Sequence, residues 1–168
     1  MIGYITAAGR GVSDRIMVDV SETLAARGLR LAGAVQHNPA NPSGRRCHMD
    51  LHVLGSGQVV RISQELGPHA LACRLNASAL AQVVGLVEHQ LALSPQLLVL
   101  NKFATQEVEG RGWRPAIGAA VAAGIPVLLA VNDASLPAFH AYAGDLAEAL
   151  SPDPAAMCDW AVARAPRA

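Results

Sequence analysis

Short apolar runs alternate with amphipathic stretches along this chain, a pattern that predicts strands joined by helices. Ile2–Thr6 is an apolar run ending in the glycine-containing Ala8-Gly-Arg-Gly11. Ile16, Val20 and Leu24 then recur at helical spacing until Gly28 stops the pattern, and Leu29–Val35 is a second apolar run. Strand, glycine turn, helix and strand make a βαβ unit, which implies a right-handed crossover between parallel strands.

Residues 36–44 are a turn-rich loop. Met49–Leu54 and Gln58–Ile62 flank Gly55-Ser-Gly57 and read as a hairpin. Asn76 is placed to cap a helix carrying Leu80, Val83, Val84, Val87 and Leu91 on one face. Gln96–Asn101 is a buried-type strand, Pro115 opens a helix running to about Gly124, and Ile125–Val131 is the last strong strand. Leu136–Tyr142 and Pro154–Arg164 read as helices. The whole predicts one α/β domain over residues 1–168, a three-layer fold on a mostly parallel sheet, with a β-hairpin insert at about 45–75. Ligands of such sheets sit at the carboxyl ends of the strands, where the polar segments 7–14, 101–114 and 132–135 are expected to converge.

Thirteen basic residues balance thirteen acidic ones, so no overall field favours nucleic acid or an anionic membrane. No apolar run reaches transmembrane length, and Met1–Thr6 lacks a charged leader region. Three widely spaced cysteines suit reduced thiols in a cytoplasm better than a disulfide framework. Apolar helices with little surface charge are compatible with a homodimer.

Two segments carry candidate chemistry. Laid on the phosphate-loop pattern G-x-x-x-x-G-K-[ST], the first turn puts Thr6 at the first glycine, Gly11 at the second, Val12 at the lysine and Ser13 at the hydroxyl. The lysine that reaches the outer phosphates is missing, and Asp14 beside Ser13 repels a phosphate. The competing reading is a tight strand-to-helix turn with Ser13 as the cap. The second segment is Asn101-Lys-Phe-Ala-Thr-Gln-Glu-Val-Glu-Gly-Arg-Gly-Trp-Arg114, which holds Lys102, the sole lysine. Gly110-Arg-Gly112 and Arg114 precede a helix start, so free N–H groups and two guanidinium groups form a candidate oxyanion cradle. Pairing of those arginines with Glu107 and Glu109 is the alternative, and Trp113 fits the core.

Cys47, His48, His52, His69 and Cys73 lie in or near the insert without zinc-type spacing, and Asp50 stands either toward the site or within the insert. Ser63, His69 and Asp50 lack a nucleophile elbow, so no hydrolytic triad is indicated.

The chain resembles a bacterial family of unknown function that carries Asn-Lys-Phe, a Glu, and Gly-Arg-Gly-x-Arg. Here these are Asn101–Phe103, Glu107 and Gly110–Arg114, with Cys47-His-Met-Asp-Leu51, Ile62-Ser-Gln64, Leu66-Gly67 and Cys73-Arg-Leu75 as further matches. Members are frequently labelled molybdenum-transport ATP-binding proteins. The family is in turn similar to small nucleoside-triphosphatases of thermophiles, which implies a P-loop NTPase-like fold. Those enzymes carry Asp-Glu-(Ile/Val)-Gly-Lys-Met-Glu after a core strand, and only Glu107 matches here. Amide and ammonium replace two acids, so the resemblance implies an anion site without the groups for hydrolysis. The expected ligand is a nucleotide phosphate or an oxyanion such as molybdate. The expected binders are Gly9, Gly11, Ser13, Arg74, Lys102, Glu107, Arg111 and Arg114, with no catalytic or metal residue and no cofactor assigned. A nucleoside-triphosphatase with a non-standard loop and an interaction module with a vestigial site are the alternatives.

Overall fold

The computed structural model describes residues 1–42, 47–64 and 74–166. The predicted His69, Cys73, Leu66 and Gly67 features lie outside these residues, and so does any approach of Cys47 to Cys73.

The strands are β1 (Ile2–Ile5), β2 (Leu31–His37), β3 (Asp50–Val53), β4 (Val59–Arg61), β5 (Leu97–Phe103), β6 (Val127–Val131) and β7 (Ala147–Ala149). They form one sheet in the order β4-β3-β2-β5-β6-β1-β7. The pairs β2·β5, β5·β6, β6·β1 and β1·β7 are parallel, whereas β3 and β4 add as an antiparallel hairpin on the outer edge of β2. The hairpin is the expected insert. Its cross-strand pair Asp50–Arg61 is bidentate at 2.8 and 3.1 Å, which places Asp50 within the insert.

Side-chain alternation along β5 divides the core into two halves. Leu98 and Leu100 face one cluster, and Leu97 and Val99 the other. Helices α2 (Ala77–Leu91), α4 (Arg114–Ala122) and α5 (Leu136–Ala143) cover the first face through Val83, Ile117 and Phe139. Helices α1 (Val12–Ala26) and α6 (Pro154–Arg164) cover the second through Met17, Val20, Met157 and Trp160. The result is the three-layer α/β architecture that the sequence pattern implies. Asn76 caps α2, accepting from the N–H of Ala79 at 3.0 Å.

Four details differ from the expectations. Strand β5 runs to Phe103 instead of stopping at Asn101, a one-turn helix α3 (Thr105–Val108) follows it, and β7 forms the far edge. Helix α1 is capped by Gly11, not Ser13: Gly11 sits at φ 71° and the helix begins at Val12. Among the described residues, no helix is long and apolar enough to cross a membrane.

On the hairpin, His37 and His52 stack with ring centroids 3.7 Å apart. Burial, then the neighbouring His37, holds the His52 imidazole below its ordinary pKa, against the smaller opposing pull of Asp50 and Glu22. Unfolded His52 therefore takes up a proton more readily than folded His52. Its contribution to stability is present above about pH 6.5 and is lost as the pH falls through the folded value. Denaturation midpoints between pH 7.5 and 5.5 are expected to fall less steeply in a His52→Gln variant than in the parent.

Candidate functional site

The helix that follows β1 and the helices that follow β5 and β6 lie on opposite faces of the sheet, so the loops after these three strands frame a crevice at their carboxyl ends. The three polar segments do meet there. A small cavity of about 210 Å³ is lined by Gly9 and Gly11 from the first loop, by Ser13 in the first turn of α1, by Lys102 from β5 and by Asn132 and Asp133 after β6. Gly9 and Gly11 adopt φ of 98° and 71°, conformations open to glycine, and so bring the backbone round this hollow. Backbone amides of a turn feeding a helix start are a recognised anion cradle.

Asp14 occupies the centre. It is 3% exposed, and four side chains converge on its carboxylate. Asn101 Nδ2 donates to Oδ1 at 2.9 Å, Lys102 Nζ to Oδ1 at 3.1 Å, Asn38 Nδ2 to Oδ2 at 2.7 Å and Gln36 Nε2 to Oδ2 at 3.5 Å. Neighbours on a regular strand point to opposite faces, yet Asn101 and Lys102 reach the same oxygen. The β5·β6 ladder slips its register between Asn101 and Phe103, which re-aims them. Lys102 is thus at the expected place, but its charge is matched by a carboxylate of the chain itself.

Glu107 plays the same part in the second segment. It is 2% exposed and accepts from the N–H groups of Ala104 (2.8 Å) and Trp113 (3.0 Å). Burial outweighs these two donors and raises the carboxyl pKa above its ordinary value. Of the cradle expected at Gly110–Arg114, the N–H of Trp113 is taken up by Glu107 of the chain itself. A Cβ on Gly112, at φ 60°, would stand 1.9 Å from Glu107 Oε1.

Of the arginines, Arg111 is paired with Glu109 and bonds Gln106 at 3.3 Å. It reaches the outer wall of the large lobe described below but is absent from the walls of the small cavity at the Gly9–Ser13 turn. Arg114 lies over the ring of Tyr142, 4.3 Å from its centroid, and donates to the carbonyl of Glu107 at 3.4 Å. The geometry therefore separates Arg114 from Lys102 and the glycine turn. Arg74 does join the site, with Nη2 bonded to the carbonyl of Cys47 at 3.1 Å.

Arg10 went unread in the sequence. Held between the two glycines, it lines the small cavity and both larger lobes beside it, and among the described residues it has no hydrogen-bond or ionic partner. The first lobe, about 560 Å³, is lined by four cations (Arg10, Arg15, Arg74 and Lys102) against two carboxylates, Asp14 and Asp19. The second, about 700 Å³, has walls from β3, β5, α2 and the α3 loop. Among the described residues, no cluster of three His, Cys, Asp or Glu could hold a metal ion.

Sheet order, glycine turn and cationic crevice define a P-loop-NTPase-like domain whose loop carries Val12 where the lysine belongs. The chain belongs to the family described as "Protein of unknown function (DUF2478)", matched over residues 2–160. It is 37% identical over 137 residues to the Molybdenum import ATP-binding protein ModC 2 of Bradyrhizobium diazoefficiens. That match covers 82% of this chain but 15% of the relative's length. No solved structure matches the chain at a significant level.

Proposed function

We propose that this domain binds a small anion, a nucleotide phosphate or a tetrahedral oxyanion such as molybdate, at the carboxyl ends of its strands and does not turn it over. The observation that carries this reading is Arg10, a cation within the Gly9–Ser13 turn that lines all three cavities and has no partner among the described residues. Arg15 and Arg10 supply the charge that attracts the ligand, Lys102 stands on the opposite wall, and the helix start offers its N–H groups. Asp133 on the wall of the small cavity works against a highly charged anion there. Val12 gives no charge to a γ-phosphate, and Asn101 and Lys102 replace the acids that would hold Mg²⁺, which is why the reading is binding without hydrolysis. The molybdenum and ATP in the relative's name make molybdate and ATP the first ligands to try.

Calorimetric titration with ATP, GTP, molybdate and sulfate is expected to show saturable binding of at least one. Arg10→Ala is expected to weaken it about tenfold, the loss of one charge-assisted contact worth about 1.5 kcal/mol, with no change in thermal stability because the side chain is exposed. No heat with any of the four ends the proposal. Steady Mg²⁺-dependent phosphate release ends its non-hydrolytic half.

A further inference from the structure

A groove of about 240 Å³ runs between α2 and the loop after α3. Among the described residues it shares Leu80, Gln106 and Arg111 with the second lobe and nothing with the other two cavities. On the α2 side it is lined by Ala77, Ala81, Val84 and Gly85. The helices here carry little charge at their surface. Glu88 is the one Asp, Glu, Lys or Arg of α2, and α4 has none after Arg114, its exposed positions being Pro115, Gly118, Ala119 and Ala122. Helix α1, on the opposite side of the sheet, exposes Arg15, Asp19 and Glu22. The outer face of a surface helix normally carries charge, so α2 and α4 present an unpartnered face.

Gly85 points to what covers it. A glycine in mid-helix weakens the helix relative to alanine. Gly85 is exposed, and among the described residues nothing lies within 4 Å of where its Cβ would stand. Packing within the chain therefore does not call for the missing side chain, whereas a second backbone passing close to the helix does.

Charge sets the direction of that approach. Helix α2 turns back into β5 through residues 92–96, so its N-terminal half lies at the carboxyl end of β5, where the Arg111 loop begins. Leu80 and Arg111 accordingly line the second lobe together, and Glu88 does not. The groove thus has Arg111 toward one end and Glu88 toward the other. Glu88 has no hydrogen-bond or ionic partner among the described residues. Arg111 is exposed and, beyond its bonds to Glu109 and Gln106, keeps further N–H donors. Turning a second copy end for end about an axis at Gly85 brings Glu88 of each against Arg111 of the other. That reciprocity is what an isologous contact requires.

We propose that this face is a two-fold interface between copies of this chain, with α2 crossing α2 at Gly85 and Glu88–Arg111 pairs on either side. A contact one or two helices wide is at the low end of interface sizes, so the dissociation constant is expected to be on the order of micromolar.

The test is sedimentation velocity on the full chain from low to high micromolar concentration, where the parent is expected to pass from monomer to dimer. Glu88→Arg and Arg111→Glu each set like charges against one another across the axis, and each is expected to weaken the dimer at least about tenfold. An equimolar mixture of the two variants sets opposite charges on both sides and is expected to recover association to near the parent's. Gly85→Leu blocks the crossing from an exposed position and is expected to be folded by circular dichroism and monomeric. A parent that stays monomeric, leaving the face to some other protein, overturns the proposal. So does a dimer that survives Gly85→Leu, or a mixture that associates no better than either variant alone.

Discussion

Replacing Glu107 with alanine is expected to lower the stability of the chain by about 3 kcal/mol, a drop of roughly 6–12 °C in melting temperature for a domain of this size. The carboxylate is buried and bonds the N–H groups of Ala104 and Trp113, so its removal strands two donors that water does not reach. Each such donor costs about 1–3 kcal/mol, offset in part by no longer burying a charge. Glu107→Gln keeps one acceptor and turns an amide donor toward the other N–H, so it is expected to fall between parent and alanine variant. Gly112→Ala reaches the same bonds from the other side: its Cβ would collide with Oε1 at 1.9 Å, and φ 60° adds strain of about 1–2 kcal/mol. The glutamine variant also carries a pH signature. Burial raises the Glu107 carboxyl, so its stabilising contribution is complete below the unfolded value and fades as the pH rises through the folded one. Chemical denaturation from pH 4 to 8 is expected to show that decline in the parent and not in Glu107→Gln. Equal stability of all three proteins would remove Glu107 from its place as the clamp of this loop.

The strands and long helices were legible because each follows a period of two or 3.6 over enough residues to declare itself. Pro154–Arg164 is a helix with the predicted bounds, and Asn76 caps where its side chain suggests. Two elements were too short for any period: β7 has three residues and α3 has four. The end of β5 was misplaced because Asn101 and Lys102 are polar, and polarity at a strand end reads as loop. What keeps them in the strand is Asp14, 87 and 88 positions earlier, and no local pattern encodes that pairing. The same non-local chemistry hid the site's electrostatics. Each segment that reads as an anion cradle from its glycines and cations holds a carboxylate of the chain, Asp14 at one and Glu107 at the other. Arg10 stands between two glycines at a strand-to-helix turn, but the phosphate-loop pattern places its cation after the second glycine, at Val12, so the pattern does not single it out.

Asp14 makes the two cradles unequal, and this gives the most discriminating expectation for function. Glu107 is a buttress, whose carboxylate accepts from the backbone N–H groups of Ala104 and Trp113 and holds the shape of its loop. Asp14 instead neutralises Lys102, the cation that β5 brings to the wall of the small cavity, across a 3.1 Å bridge in which the Asp14 side chain is 4% exposed and the Lys102 side chain 31%. Asp14→Asn keeps the volume and an acceptor while deleting the charge. Because Lys102 retains water access, the cost to folding is expected to be about 2 kcal/mol, below the 3–5 typical of breaking a fully buried pair. Binding should move the other way. Deleting a negative charge beside the small cavity, and releasing Lys102 toward it, is expected to tighten inorganic phosphate or molybdate by at least tenfold, about 1.4 kcal/mol. A structural role for Asp14 alone predicts the stability loss without the gain. The double variant Asp14→Asn, Lys102→Met separates the two, since it keeps the deletion of negative charge but removes the cation it releases. Its anion affinity should drop well below that of Asp14→Asn. If Asp14→Asn binds no more tightly than the parent, the carboxylate is not holding Lys102 back from a ligand, and the crevice is not the anion site proposed for it.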